Sequence, residues 1–361
     1  MQVLLKQVKP GCILMKDVMG KSPHPIMPRN TVLEPLHIKV LSQFRVSEVE
    51  VAKQLANGEP FIPEENEMET LEMMDDLQLF FQHFNNSLKE TKKLHENIKK
   101  RIPIDIVKIR SYLLPLLGEL EKVQDVIFTL PQYVEEQDYP YYQAVSTAIL
   151  SALIAKKMNY EHGEQIQIGI ASYLSNSGMA LIDEKIINKE GPLTAEEFNE
   201  IKKHPVYSYR LVEKLSMLKF EAKIGILQHH ERLNGTGYPF GLSAEKIHPY
   251  ARILAVSEMF IAMTADRSYK KAQIPYKVLE EIYNYEIGKL DIEVIHTLVN
   301  SLISFSVGTK VVLSNGDVGE IVFMDDRNPT RPMVRLDEDQ SIIVLKDHKD
   351  IYIEKVLYGV D

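Results

Sequence analysis

The sequence predicts a multidomain, mainly α chain: a central all-helical domain flanked by a small α+β N-terminal module and a small C-terminal β-barrel. Three observations carry this prediction. Residues 138–303 pass from one helical pattern to the next, and several of those patterns are apolar on almost every side. Residues 1–60 mix short strand-like pieces with one helical piece, punctuated by Pro10-Gly11, Pro25 and Pro28. From residue 304 onward the period changes to that of short strands separated by turn residues. The 361 residues have room for two or three domains of roughly 100–200 residues.

In 1–60, "QVLLKQV", "CILMKDV" and "VSEVEVA" alternate or carry β-branched residues, and "PLHIKVLSQF" reads as a helix. "FIPEENEMETLEMMDD" is an acidic, proline-marked joint that opens a helical linker region, 61–137. There Leu77, Phe81, Phe84 and Leu88 recur at steps of four, three and four, which sets them on one helical face. The plain reading is a helix docked on its own core; the other is a short dimerising coiled coil. This helix should end before Pro103.

Within 138–303, "VSTAILSALIAKKM" and "EQIQIGIASYLSNSGMALI" read as buried helices. "TAEEFNEIKKH" opens with Thr194 and Glu197 at capping-box spacing, and Pro205 suits the first turn of the next helix. "RILAVSEMFIAMTA" is a helix with a single carboxylate, Glu258, inside an apolar run. In 304–361, "TKVVLS", "VGEIVFM", "PMVRL", "SIIVL" and "DIYIEKVL" are short strands, with Asn315-Gly316 at one turn. Their number and brevity suggest a small barrel.

Composition narrows the function classes. A net charge of −9 and a pI near 5.7 argue against general affinity for nucleic acid or anionic lipid, although a local basic patch can still hold an anion. Cys12 is the only cysteine, so neither an intramolecular disulfide nor a cysteine-based zinc site is expected. The N-terminus, broken by Lys6, Lys9 and Pro10, lacks a signal-peptide core, and no apolar run approaches the ~18–20 residues of a membrane span. A cytoplasmic protein is the expectation.

The chemistry concentrates in "LQHHERLNGTGYPFGL", residues 227–242. His229 and His230 are consecutive, and on a helix neighbours point ~100° apart, so side-by-side chelation of one ion is not expected. They can serve two ions, serve as one ligand and one supporting group, or be ordinary helix-end histidines. The turn Asn234-Gly235-Thr236-Gly237-Tyr238-Pro239 permits positive φ at either glycine and can lie against a phosphate or a base. Glu258 sits either on a narrow wet face or paired inside. His204 is a helix-capping imidazole or a ligand. Arg267, Lys270 and Lys271 in "DRSYKKA" form an anion clamp or a solvated charge run.

Taken together, these pieces resemble the HD-GYP family, which hydrolyses cyclic di-GMP with a cluster of two or three metal ions. "NKEGPLTAEEFNEIKKHP" is similar to that family's "nKpG-Lt-eE---i--HP", "HHERLNGTGYPFGL" to "HHE--dGxGYP-gL", and "IHPYARILAVSEMFIAMTADRSYKKA" to "Ip--aRIl-vaDvfdAmts-RpYr-a". The resemblance covers about 138–303. It places His204, His229 and His230 on family metal ligands unchanged, and Glu258 on the family's late aspartate. Elsewhere the pattern breaks: the first metal histidine falls on Gln143, the eponymous His-Asp pair on Ser175 and Asn176, and the motif lysine that approaches substrate phosphate on Met179.

Serine hydroxyls and Gln/Asn amides are neutral, weak ligands, and an amide NH₂ donates hydrogen bonds instead of bridging ions. The resemblance therefore implies a degenerate domain with no intact catalytic residues and lost or strongly reduced phosphodiesterase activity. It leaves at most one weakly held divalent ion, iron, manganese or similar, on His204, His229, His230 and Glu258. Cyclic di-GMP is the implied ligand, with Tyr238, Arg267 and Lys270 as its contacts. Two alternatives stand beside this: an active phosphodiesterase with an atypical metal site, and a scaffold acting through a homodimer or protein partner without nucleotide.

Overall fold

The computed structural model describes residues 1–19, 25–44, 46, 48–61, 69–120, 126–128, 130, 135–189, 191–266, 272–286, 288–303, 306–325 and 328–357. The chain forms two compact units. One comprises Met1–Phe81, Gln132–Glu135 and Ile303–Asp361; the other comprises Gln82–Pro131 and Glu136–Leu302.

In the first unit, strands β1 (Gln2–Leu4), β2 (Cys12–Ile13), β3 (Val18–Met19), β4 (Pro25–Met27) and β5 (Val32–Leu33) precede helix α1 (Pro35–Gln43), and β6 (Glu48–Glu50) follows it. They pair antiparallel as β1 with β6, β2 with β5 and β3 with β4. Pro35 pre-sets the first turn of α1, and Glu34 and His37 close a capping box around it. Cys12, Leu14, Leu33, Leu41 and Val51 fill the core of this α+β module.

The C-terminal strands of the same unit, β7 (Lys310–Leu313), β8 (Val318–Phe323), β9 (Met333–Leu336), β10 (Ile342–Val344) and β11 (Ile353–Leu357), make one antiparallel sheet in the order β10-β9-β8-β7-β11. Gly316, at φ 90°, supplies the left-handed turn between β7 and β8. Among the described residues no ladder joins β10 to β11, so the strands lie in an open sheet and the closed barrel expected from the sequence is not seen. Lys355 on β11 donates to Thr31 Oγ1 at 2.8 Å, tying this sheet to the N-terminal module, and burial pushes its ammonium down to about 8.

The second unit is helical. Helix α2 (Glu69–Lys99) enters it and ends before Pro103, as the sequence predicts; α3 (Ile106–Gly118) follows. Phe81 and Phe84 are buried, whereas Leu88 is half-buried and the Leu77 side chain lies outside the described residues. The buried face of α2 in this unit runs Phe84, Ser87, Thr91, Leu94 and Ile98. Its two hydroxyls are satisfied: Ser87 donates to Tyr112 O at 3.1 Å and Thr91 to Ser87 O at 2.6 Å. The Tyr173 hydroxyl bonds both Thr91 Oγ1 and the Tyr112 hydroxyl at 2.8 Å, so α2 docks on its own domain's core.

Helices α4 (Tyr139–Lys157), α5 (His162–Ser175), α6 (Glu184–Ile187), α7 (Ala195–Ile201), α8 (His204–Val212), α9 (Phe220–Gln228), α10 (Pro249–Thr264), α11 (Pro275–Tyr285) and α12 (Ile292–Leu302) complete it. Every residue of α4 from Ala144 to Ala155 is buried, as its apolar run requires. It packs on α5, while α10 lies against both α4 and α9. Thr194 and Glu197 form the expected capping box, and Pro205 occupies the first turn of α8. Among the described residues no helix is long and apolar enough to cross a membrane.

The turn after α5 fixes where α8 begins. A Cβ on Gly178 would stand 2.3 Å from His204 O and 2.6 Å from Ser208 N, and Gly178 N donates to Ser208 Oγ at 2.8 Å. Only a residue without a side chain lets this turn touch the α8 backbone. Gly178→Ala should therefore destabilise the domain by about 1–3 kcal/mol through overpacking. Thermal unfolding of the two chains measures this, and an unchanged midpoint would contradict the packing.

Candidate metal centre

Three imidazoles converge at helix ends. His204 is the first residue of α8, His229 caps α9, and His230 lies in the turn beyond. Because α9 stops at Gln228, the ~100° divergence of consecutive helical residues does not apply to this pair. Contrary to the sequence-based expectation, the His229 and His230 rings lie 4.2 Å apart. A ligand atom from each of His204, His229 and His230 falls within 4.8 Å of the others.

Backbone carbonyls set the tautomers of two of these rings. His204 Nδ1 is 2.8 Å from Ile201 O, and His229 Nδ1 is 2.6 Å from Ile226 O. A carbonyl only accepts, so both Nδ1 atoms carry the proton and both Nε2 lone pairs are free. Those Nε2 atoms face each other at 3.3 Å. Burial drives the His204 pKa down to about 3, with help from His229. Burial likewise lowers His229 and holds His230 well below the usual imidazole range. All three rings are therefore neutral near pH 7, the state that ligates metal.

Glu258 on α10, 8% exposed, flanks the cluster. Its Oε2 lies 3.7 Å from His229 Nε2 and 3.8 Å from His230 Nε2. Its Oε1 accepts the Gln143 amide at 3.0 Å from α4 and the Asn176 amide at 2.7 Å from the end of α5. One oxygen faces imidazoles and the other is held by two amide NH₂ groups. The three neutral imidazoles are a donor set that fits one divalent ion, with the carboxylate beside two of them.

Not every anticipated position joins. The Ser175 hydroxyl donates to Ser172 O at 2.8 Å, back along its own helix. Met179 sits in the short turn Ser177–Leu181 and brings no charge. Arg267 and Lys270, expected to clamp an anion, lie outside the described residues.

The glycine-rich turn closes over the histidines. The Tyr238 ring stacks on His230 at 4.6 Å, and burial with the Glu258 charge raises its phenol pKa, keeping it protonated. Positive φ occurs at Gly235, at 77°, but not at Gly237. Gly237 is needed for close approach instead, since a Cβ there would meet Arg232 N at 2.4 Å and His230 O at 2.5 Å. Buried Glu231, to which the sequence reading assigned no role of its own, staples the loop by accepting from Phe240 N at 2.7 Å and Leu242 N at 2.9 Å. Only its place in the "HHE" triplet hinted at this. Arg232 donates to the Glu231 and His229 carbonyls beside the cluster.

Residues 129–294 match the HD domain family. The cyclic di-GMP phosphodiesterase PA4108 of Pseudomonas aeruginosa is 28% identical over 212 residues, 59% of this chain and 51% of that protein. The cyclic di-GMP phosphodiesterase PdeB of Borreliella burgdorferi is 29% identical over 197 residues, 55% of this chain and 52% of that one. The 3'3'-cGAMP-specific phosphodiesterase 3 of Vibrio cholerae is 31% identical over 125 residues, 35% of this chain and 27% of that protein. The chain thus spans about half the length of the first two relatives or less of the third. Residues 129–294 thus carry an HD domain, and this part of the chain is HD-GYP-like and similar to the cyclic di-GMP phosphodiesterases.

Proposed function

We propose that this is a degenerate HD-GYP domain that holds one divalent ion on His204, His229, His230 and Glu258 and binds a cyclic dinucleotide with little or no hydrolysis, as a signalling or interaction module. One observation carries the reading: Gln143 and Asn176 point amide N–H groups at Glu258 Oε1. A second ion in that place would need electron-pair donors, and these two groups are themselves electrophilic partners of the carboxylate. They satisfy Oε1 as a cation would, at no net charge. A single ion of the iron or manganese type supplies Lewis-acid polarisation of a phosphoryl oxygen when bound.

The chain's own residues prepare the centre. The Ile201 and Ile226 carbonyls orient two imidazoles, and Tyr238 stacks over the third. The names of the relatives support a cyclic dinucleotide such as cyclic di-GMP as ligand. Arg267 and Lys270 remain proposed phosphate contacts. The convergence of three histidines, two of them beside Glu258, favours a second reading, an active phosphodiesterase with an atypical one-ion site. A scaffold working through a homodimer or a protein partner is the reading left if no nucleotide binds.

Elemental analysis after loading with Mn²⁺ or Fe²⁺ should find one weakly held ion per chain; two tightly bound ions would sink the one-ion reading. Gln143→His, Ser175→His and Asn176→Asp combined should raise the count to two and increase cyclic di-GMP hydrolysis in Mn²⁺ or Fe²⁺. Rapid hydrolysis by the unaltered chain would instead establish the atypical enzyme. Asn176→Ala should weaken metal affinity by about 10–100-fold in chelator competition, since it frees one oxygen of Glu258.

The buried imidazoles also set a pH dependence. His204 has a folded pKa of about 3, depressed below the ordinary 6.5, so the folded state excludes a proton that the unfolded chain binds. Stability is full above pH 6.5 and falls as pH drops towards 3, by up to about 1.4 kcal/mol per pH unit for such a group. Denaturant titrations of chelator-treated protein across this range should show the slope, and His204→Asn should flatten it.

A further inference from the structure

Lys202 caps α7 two residues before His204, and its ammonium is held by rings instead of by a carboxylate. Its Nζ lies 4.6 Å from the centre of the Phe198 ring and 6.0 Å from that of Tyr238. Tyr238 stacks on His230. Phe198, Lys202, Tyr238 and His230 thus make a file from solvent to the histidine cluster. The acidic neighbours on α7 are engaged elsewhere: Glu197 takes Lys189 Nζ and Thr194 N, and Glu200 takes Lys203 Nζ and the Tyr207 hydroxyl. Among the described residues no carboxylate pairs with Lys202.

Phe198 is 45% exposed, an aromatic ring left largely uncovered beside that cation. An unpaired ammonium attracts a phosphate oxygen, and an open ring offers a stacking surface to a base. The Phe198 ring 4.6 Å from Nζ also restrains the ammonium, which reduces the entropy lost when it grips an anion. Met179, where the related family has a lysine, supplies no such charge.

We propose that Lys202 and Phe198 form the phosphate-and-base subsite of the histidine centre: Lys202 Nζ binds a phosphate oxygen of a nucleotide, and the exposed part of the Phe198 ring stacks on a base. This rests on the cyclic-dinucleotide reading above and specifies its contacts. The ligand class is a nucleoside phosphodiester, since a simple phosphate would leave the ring unused and a neutral aromatic would leave the ammonium unused.

Titration calorimetry on the full, metal-loaded chain tests it with two probes, cyclic di-GMP and inorganic pyrophosphate. Lys202→Met should weaken cyclic di-GMP by about ten- to hundredfold and weaken pyrophosphate too. Phe198→Leu should weaken cyclic di-GMP by roughly tenfold and leave pyrophosphate unchanged. Lys202→Arg should retain binding of both. Metal content and melting temperature should stay constant, which separates ligand contact from a structural role; Lys202→Gln carries the test should the methionine variant not fold. Equal cyclic di-GMP affinity in the unaltered chain and Lys202→Met overturns the subsite and leaves the cyclic-dinucleotide reading standing. If the unaltered chain binds no cyclic dinucleotide, that reading falls and pyrophosphate decides: Lys202-dependent binding upholds the anion contact, whereas Lys202-independent or absent binding overturns it.

Discussion

A carboxylate buried in an apolar helix must have both oxygens met, and the centre of this domain is arranged around that requirement at Glu258. Leaving an ionised carboxylate unpaired inside a core costs several kcal/mol. Here α4 and the end of α5 deliver two amide donors to one oxygen, while the end of α9 and the turn after it bring two imidazoles towards the other. The helices are therefore registered to one another through a single side chain. The tight fit of Gly178 against the start of α8 serves the same register, since it fixes where His204 begins its helix.

Helix termini do the positioning. A histidine in mid-helix has its backbone partners committed and its direction set by the helical period. At the C-terminal ends of α7 and α9 carbonyls without helical partners are available to orient ring nitrogens, and the chain can turn two consecutive imidazoles to one point. The loop that follows is held by a carboxylate, Glu231, that accepts from its backbone, and by a glycine, Gly237, whose missing side chain lets it lie on the histidine segment. Tyr238 is thereby pressed against His230, and the ring file out to Phe198 follows from that contact.

Much of the helical unit was legible because its apolar runs are long and its caps are explicit, as at Thr194–Glu197 and Pro205. The α2 face was only half legible: Ser87 and Thr91 are buried there, and hydroxyls satisfied by tertiary partners leave no apolar signal. In the site, the residue types at His204, His229, His230 and Glu258 were readable, but their convergence was not. It depends on where α9 ends, and helix boundaries are the least certain feature of a pattern. That Gln143 and Asn176 would bond Glu258 while Ser175 turns away is a matter of side-chain direction, which spacing alone does not give. Closure of the C-terminal strands was likewise over-read, because strand count and brevity say nothing about whether the outermost pair meets.

The bond between Lys355 and Thr31 joins residues 324 apart in sequence. Between them lies the whole helical unit, so the first unit is assembled from segments synthesised at opposite ends of this stretch of chain. During vectorial synthesis the helical unit can finish folding while the N-terminal module still lacks its C-terminal sheet. Loop closure over a disordered segment of that length is slow and entropically costly, whereas a compact intervening domain shortens the effective loop. Completion of the first unit therefore waits on the far end of this stretch of chain, so damage to the intervening helical core would be felt as delayed assembly of the C-terminal sheet.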